Sequence, residues 1–318
     1  MTVVIRKTGC AAIGECMLEL SETMSPANPR QLTLSFGGDT LNTALYLARL
    51  GLPTHYCTML GTDAESDWMI NQWQREKIDS STVFRAENRR PGLYWIKTDE
   101  RGERSFSYWR SDSPARELFD DASRVETLTA HLASLGFCYL SGITLSLYAP
   151  HGREALLAML GTLKDRGVCI VFDSNYRPQS WPSVNAAQQA MLATAALADI
   201  VMPSFDDEAA LFGDPALEVT LDRYATLGVR EIVLKDAAQG AVIRTASADF
   251  VSPAEQNIQV IDSTAAGDSF NAGYLAARYL GAEPEAAAIW GHRLASHVIC
   301  HKGAIIPHES MPALPSMA

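Results

Sequence analysis

The sequence predicts an α/β protein with a mainly parallel sheet flanked by helices. Three observations lead there. Apolar strand candidates recur from about residue 135 onward, at 137–140, 168–172, 200–202, 231–235 and 241–244. Helical stretches fall between several of them, at 153–166, 185–198 and 221–227. Apolar strands separated by helices pair in parallel and are covered on both faces. The chain is also long enough: 318 residues, 47% hydrophobic and 20% charged, supply a sizeable core for one large α/β domain or two smaller ones.

The amino-terminal half carries a different pattern. Residues 10–14 read as a first strand, followed by Glu15-Cys16-Met17-Leu18-Glu19-Leu20 and a polar, Pro-containing stretch over 21–31. Residues 32–36 alternate as a strand. Gly37, Gly38 and the capping residue Asp39 then open a helix that Gly51 closes. The glycines allow a ligand close to the backbone, and Asn42 in the first turn is placed to meet it. A plain loop-to-helix joint would use the same residues. Residues 93–98, a turn at 99–102 and residues 104–110 form a hairpin, with Tyr108 and Arg110 on one strand face. With 15–20 and 32–36 this hairpin makes a small sheet apart from the main one. The last helix spans about 285–300, and the tail 307–318 wraps the surface.

The bulk numbers exclude several classes. A formal net charge of −11 opposes a nucleic-acid surface, which needs a basic face. An anionic substrate stays open, because a local pocket can be positive on an acidic protein. The amino terminus lacks the apolar core of a signal peptide, and no apolar run is long enough to span a membrane, so a cytoplasmic location is expected. The six cysteines are scattered without a Cys-x-x-Cys pair. His297 and His301 have the spacing of a helical metal pair but no clear further ligands, and a partly buried helix face is the better reading. No Gly-x-Gly-x-x-Gly, Gly-x-x-x-x-Gly-Lys-Ser/Thr, Gly-x-Ser-x-Gly or His-Glu-x-x-His run occurs, which removes the main support for a dehydrogenase, a P-loop kinase and the common hydrolases.

The chemistry concentrates in Asp262-Ser263-Thr264-Ala265-Ala266-Gly267-Asp268-Ser269-Phe270. Ile258, Val260 and Ile261 read as the end of a strand, and Phe270, Tyr274 and Leu275 follow at helical spacing. The small residues 265–267 therefore read as a tight turn opening a helix, where backbone N–H groups converge on an anion at the positive end of the dipole. Asp268 would repel a resting phosphate. It fits a phosphoryl group in transit, with the carboxylate taking a proton from the attacking hydroxyl. A helix cap is the alternative for Asp268. Asn175 and Arg177 follow the strand 168–172, at the sheet end where ligands gather, and suit phosphate or substrate oxygens or a solvated loop. Lys235 and Gly240 bracket a further strand-end loop.

The run 262–268 resembles the carboxy-terminal Asp-Thr-x-Gly-Ala-Gly-Asp signature of the ribokinase-like (PfkB) carbohydrate kinases, with Ser263 in place of the Thr and Ala265 in place of the first Gly. The resemblance covers nearly the whole chain. It implies a single ribokinase-like catalytic domain over 1–318, with a small inserted β-sheet lid from segments near 15–36 and 92–110. It makes Asp268 the catalytic base and Ala265, Ala266 and Gly267 the anion hole. Asn175, Arg177, Lys235, Gly240, Ala266 and Gly267 would meet the nucleotide. Glu208 stands in the place of the family's Asn-x-x-Glu motif, near magnesium carried on the ATP phosphates, although Phe205 replaces the Asn. Runs such as 13–20, 36–43, 108–110 and 175–178 are most similar to the branch acting on 2-keto-3-deoxygluconate. That similarity implies MgATP-dependent phosphorylation of the 6-hydroxyl, in a sugar-acid breakdown that feeds an aldolase. Gly37, Gly38, Asn42, Tyr94, Tyr108, Trp109, Arg110, Arg177 and Asp268 would bind the acceptor, with Arg110 and Arg177 competing for its carboxylate. It also implies a homodimer or higher homo-oligomer through the lid. A kinase of a neutral sugar such as fructose and a non-catalytic binding protein of the same fold are the alternatives.

Overall fold

The computed structural model describes residues 3–22, 31–98 and 104–313. The expected turn at 99–102, most of the polar stretch at 21–31 and the end of the tail lie outside these residues. Fourteen strands are present among the described residues: β1 Cys10–Ile13, β2 Met17–Glu22, β3 Leu32–Gly37, β4 Thr54–Gly61, β5 Ile78–Asp79, β6 Val83–Ala86, β7 Leu93–Thr98, β8 Arg104–Trp109, β9 Phe137–Ser141, β10 Cys169–Asp173, β11 Ile200–Val201, β12 Glu231–Asp236, β13 Gly240–Thr245 and β14 Asp249–Ser252. The helices are α1 Asp39–Arg49, α2 Ala64–Arg75, α3 Ala122–Leu132, α4 Gly142–Leu147, α5 Pro150–Asp165, α6 Val184–Ala195, α7 Phe205–Phe212, α8 Leu217–Thr226, α9 Ala266–Leu280 and α10 Pro284–Ile299.

The main sheet runs β14-β13-β12-β11-β10-β9-β1-β4-β5, with β6 also on β4. It is parallel from β5 to β12, and β13 and β14 continue it antiparallel. Strand alternation divides the core in two. Cys10, Ala12, Phe137, Tyr139 and Val233 pack under α1, α9 and α10, while Ala11, Ile13, Cys138, Leu140 and Ile232 pack under α3, α5 and α6. The run 258–261 is not a strand. Val260 and Ile261 are exposed, and the Ile261 N–H donates to Ile299 O at the end of α10. Sequence alone cannot separate such exposed β-branched residues from a buried strand.

The second sheet has the order β3-β2-β7-β8, with β2 and β7 parallel and the outer pairs antiparallel. Its register places Glu19, Tyr94, Phe106 and Tyr108 on one face and Leu18, Leu34, Trp95 and Trp109 on the other. The chain enters this sheet at Glu15 and leaves it at Arg110, and these two residues form an ion pair in which the Glu15 side chain is 1% exposed. No helix among the described residues is long and apolar enough to cross a membrane.

Candidate active site

The carboxyl ends of β10 and β12, the first turns of α1 and α9, and strand β8 of the small sheet enclose a cavity of about 680 Å³. Asp173 ends β10 because the apolar run stops there, and the chain then turns through Asn175, which holds a positive φ of 30°. Lys235 sits near the end of β12. Its Nζ donates to Asp173 Oδ2 at 3.3 Å and to Asn271 Oδ1 at 3.1 Å. Asn271 Nδ2 closes the group by donating to Asp173 Oδ2 at 2.8 Å.

Asp268 lies in the first turn of α9 and lines the cavity. Asn42 Nδ2 donates to its Oδ2 at 2.8 Å. Burial, then the negative charge of Asp39, push the Asp268 carboxyl up to about 7, against the Asn42 hydrogen bond and the Lys235 charge. A carboxylate in that range is suited to accept a proton near neutral pH. Asp39 is raised as well, chiefly by burial, with Asp173 adding to it and the Ser141 hydroxyl, the Thr40 N–H and Arg177 opposing.

The turn before α9 is built by Ala265, not Gly267. Ala265 takes the left-handed conformation, φ 59°, as the cap of the helix. Gly267 is helical, and a Cβ there would meet only Lys235 Nζ, at 3.6 Å. The Ala266 N–H is engaged by Ser263 O at 3.2 Å. The Gly267 and Asp268 N–H groups stand in the first turn, where the helix itself offers no acceptor. Residues 263–268 all line the cavity.

The other expected residues divide. Tyr108, Asn175, Arg177 and Lys235 line the cavity. Arg177 also donates to Tyr176 O at 2.7 Å and pairs with Asp207 at 3.3 Å. Tyr94 shares the cavity-side face of the small sheet with Tyr108, ring centroids 6.0 Å apart, and its hydroxyl donates to Glu19. Trp109 is placed elsewhere: alternation along β8 turns it to the opposite face, where it is 58% exposed. Arg110 falls just past the strand and is held by Glu15 rather than lining the cavity. Gly37 and Gly38 are close-packing positions, since a Cβ would come within 2.5 Å of Tyr94 Oη and 2.3 Å of Glu15 O. Gly240 is outside the lining; its φ of 112° and a Cβ contact of 2.1 Å with Ser252 O tie it to the β13–β14 pairing. Glu208 is fully buried and turned away, with Arg223 and Tyr224 donating to its carboxylate at 3.0 and 2.9 Å. His297 in α10 and His301 just past its end each place Nδ1 against a backbone carbonyl of α10, and no cluster of three or more His, Cys, Asp or Glu among the described residues could hold a metal. Sequence reading passed over Asp39 as a cap and did not single out Asp173, Asp207 or Asn271; the end of an apolar strand was the available signal for Asp173.

A ribokinase-like sheet with a small sheet closing over a helix-capped carboxylate defines a carbohydrate kinase. The chain belongs to the pfkB family of carbohydrate kinases, whose model matches residues 7–311. It is 43% identical over 310 residues to the 2-dehydro-3-deoxygluconokinase of Escherichia coli, covering 95% of this chain and 98% of that one. The Dickeya dadantii protein of the same name is 40% identical, with the same coverage. Among solved structures, a PfkB protein from Polaromonas sp. JS666 superposes with a TM-score of 0.81 at 24% identity, covering 91% of this chain and 94% of that one. A putative ribokinase II from E. coli in complex with ATP and Mg2+ gives 0.82 at 21% identity, covering 96% of each chain. These likenesses in structure establish the fold.

Proposed function

We propose that this chain transfers the γ-phosphoryl group of ATP to the 6-hydroxyl of 2-keto-3-deoxygluconate, the acid also called 2-dehydro-3-deoxygluconate, to give 2-keto-3-deoxy-6-phosphogluconate. The observation that carries it is Asp268, a carboxylate raised to about 7 beside the first-turn N–H groups of α9 in the shared cavity. In this reading Asp268 takes the proton of the 6-hydroxyl as its oxygen attacks the γ-phosphorus and the bond to ADP breaks. The Gly267 and Asp268 N–H groups meet the charge that develops on the transferred oxygens.

The donor set suits a nucleotide: Lys235, Arg177, Asn175 and the start of α9 line one cavity. Bound with the phosphates, Mg2+ supplies neutralisation of their charge. The ion would be carried on the ATP phosphates, with Asp173 and Asp207, the carboxylates beside Lys235 and Arg177, as the groups that would receive its waters. Both arginines are already ion-paired, Arg177 with Asp207 and Arg110 with Glu15, but only Arg177 lines the cavity, which makes it the better placed for the acceptor carboxylate. Names of relatives at 38–43% identity support the sugar acid over a neutral sugar. A cytoplasmic location and a homodimer through the lid belong to the same reading. The exposed Leu32, Leu34 and Trp109 on the outer lid face support the dimer, and sedimentation velocity tests it. The function is tested by ADP release from MgATP across a panel of sugars and sugar acids. Preference for fructose, or no turnover with any of them, would refute it.

A further inference from the structure

Asp39 opens α1 and lines the same cavity as Asp268. As an acidic residue in a first turn it is favoured by the helix dipole, which accounts for its presence in the helix but not for its partners. Asn175 Nδ2 donates to Asp39 Oδ2 at 2.9 Å. Asn42, three residues along the same helix face, donates to Asp268 Oδ2 at 2.8 Å. The Thr43 hydroxyl lies 3.2 Å from the backbone carbonyls of both Asp39 and Asp268. Asp268 is thus held by Asn42, and Asp39 by Asn175 together with the Ser141 hydroxyl and the Thr40 N–H.

The basic groups of the cavity are engaged elsewhere, Lys235 with Asp173 and Arg177 with Asp207. Neither Asp39 nor Asp268 is ion-paired among the described residues. This end of the cavity repels an anion and favours hydroxyl donors. Asn42 Oδ1 is buried, in a residue 5% exposed, and has no hydrogen-bond partner among the described residues. The Asn42 amide faces Asp268 through Nδ2, behind the cavity lining. The ligand end that suits the two carboxylates carries two neighbouring hydroxyls, with any carboxylate at the far end of the molecule.

We propose that Asp39 determines acceptor specificity by accepting a hydrogen bond from the 5-hydroxyl of the open-chain sugar acid, next to the 6-hydroxyl that faces Asp268. This rests on the kinase reading above. The test is a cycle over protein and acceptor. Wild type and Asp39→Ala are assayed with MgATP on 2-keto-3-deoxygluconate and on the analogue lacking the 5-hydroxyl. In wild type the analogue should lose about 10- to 150-fold in kcat/KM, the range of a hydrogen bond to a charged group. Asp39→Ala should lose a similar factor on the parent acid, chiefly in KM, and no more than about 3-fold further on the analogue. The KM for MgATP should change less than that for the acceptor, since among the nucleotide-side donors only Asn175 loses a partner. Losses that multiply, with the analogue down by the same factor in both proteins, would overturn the assignment. So would a loss confined to the KM for MgATP. Calorimetric binding of the two acceptors without nucleotide gives the same cycle without turnover. Asp39→Asn, which keeps the acceptor for Asn175, separates a folding defect through its melting temperature. Absence of turnover by wild type on any sugar acid overturns the kinase reading itself; multiplying losses in an active enzyme overturn the role of Asp39 alone.

Discussion

Replacing Asp268 by Asn should give a protein that is inactive and more stable. The exchange keeps the shape and an oxygen to accept from Asn42 Nδ2, now 2.8 Å from Asp268 Oδ2. It removes the charge that burial and Asp39 oppose. The carboxyl moves from an ordinary 3.8 to about 7 on folding. At ~1.4 kcal/mol per tenfold change in proton affinity, ionising it in the folded chain costs at most about 4 kcal/mol. The cavity admits solvent, and screening brings the expectation down to about 1–2 kcal/mol. The sign follows from the direction. A folded value above the unfolded one stabilises the fold while the group is protonated, and that stability is lost as pH rises from about 4 through about 7. Wild type bears the cost fully at pH 8 and hardly at pH 4. Asp268→Asn should therefore melt roughly 2–6 °C above wild type at pH 8, with the gap closing towards pH 4. Its kcat should fall about 10²- to 10⁴-fold. Thermal melts at both pH values and a coupled ADP assay measure these effects. A variant that melts at or below wild type at pH 8, or turns over normally, would refute the reasoning.

Further outcomes follow from the active-site turn and from the Glu15–Arg110 pair. The kcat/KM of wild type should rise with pH and level off above about 7, since the base must be deprotonated; a flat profile from roughly pH 5 to 9 contradicts this. Ala265→Gly should keep turnover and lie within about 1 kcal/mol of wild type, because relief of the left-handed alanine is offset by the added freedom of glycine in the unfolded chain. Ala265→Val should lose both stability and turnover, measured by urea titration and ADP release. Arg110→Ala should destabilise by about 3–5 kcal/mol, because it strands the buried Glu15 carboxylate, while Glu15→Ala combined with it should recover part of that loss in the same titrations.

Strands β9 to β12 were legible because a parallel strand buried on both faces reads as an apolar run, whereas β14, an antiparallel edge strand with two exposed residues, was not. The opening of α9 was legible because small residues run there into a helical apolar pattern, although the turn itself falls on Ala265 and residues 266–268 are already helical. What could not be read was direction. Alternation separates Trp109 from Tyr108, but which of the two faces meets the cavity is set by how the small sheet packs on the main body. Glu208 looks like a strand-end ligand until Arg223, fifteen residues on, draws it into the interior. Asp39 reads as a cap because its partner Asn175 is 136 residues away. Long-range partners of this kind are set by the packing of whole elements, which no local window contains.

The small sheet has one further consequence, for the order of folding. Its central pair, β2 and β7, aligns Leu18 with Leu93 in parallel, so no tight turn can close it. The intervening residues build α1, β4 and α2 of the main body. The ends of β2 and β7 meet only after that body has brought them together, and the loop entropy of the pairing is met late. The lid is thus a late-forming unit that depends on a core already in place. Its amides should exchange with solvent through openings that leave β1, β9 and β10 protected.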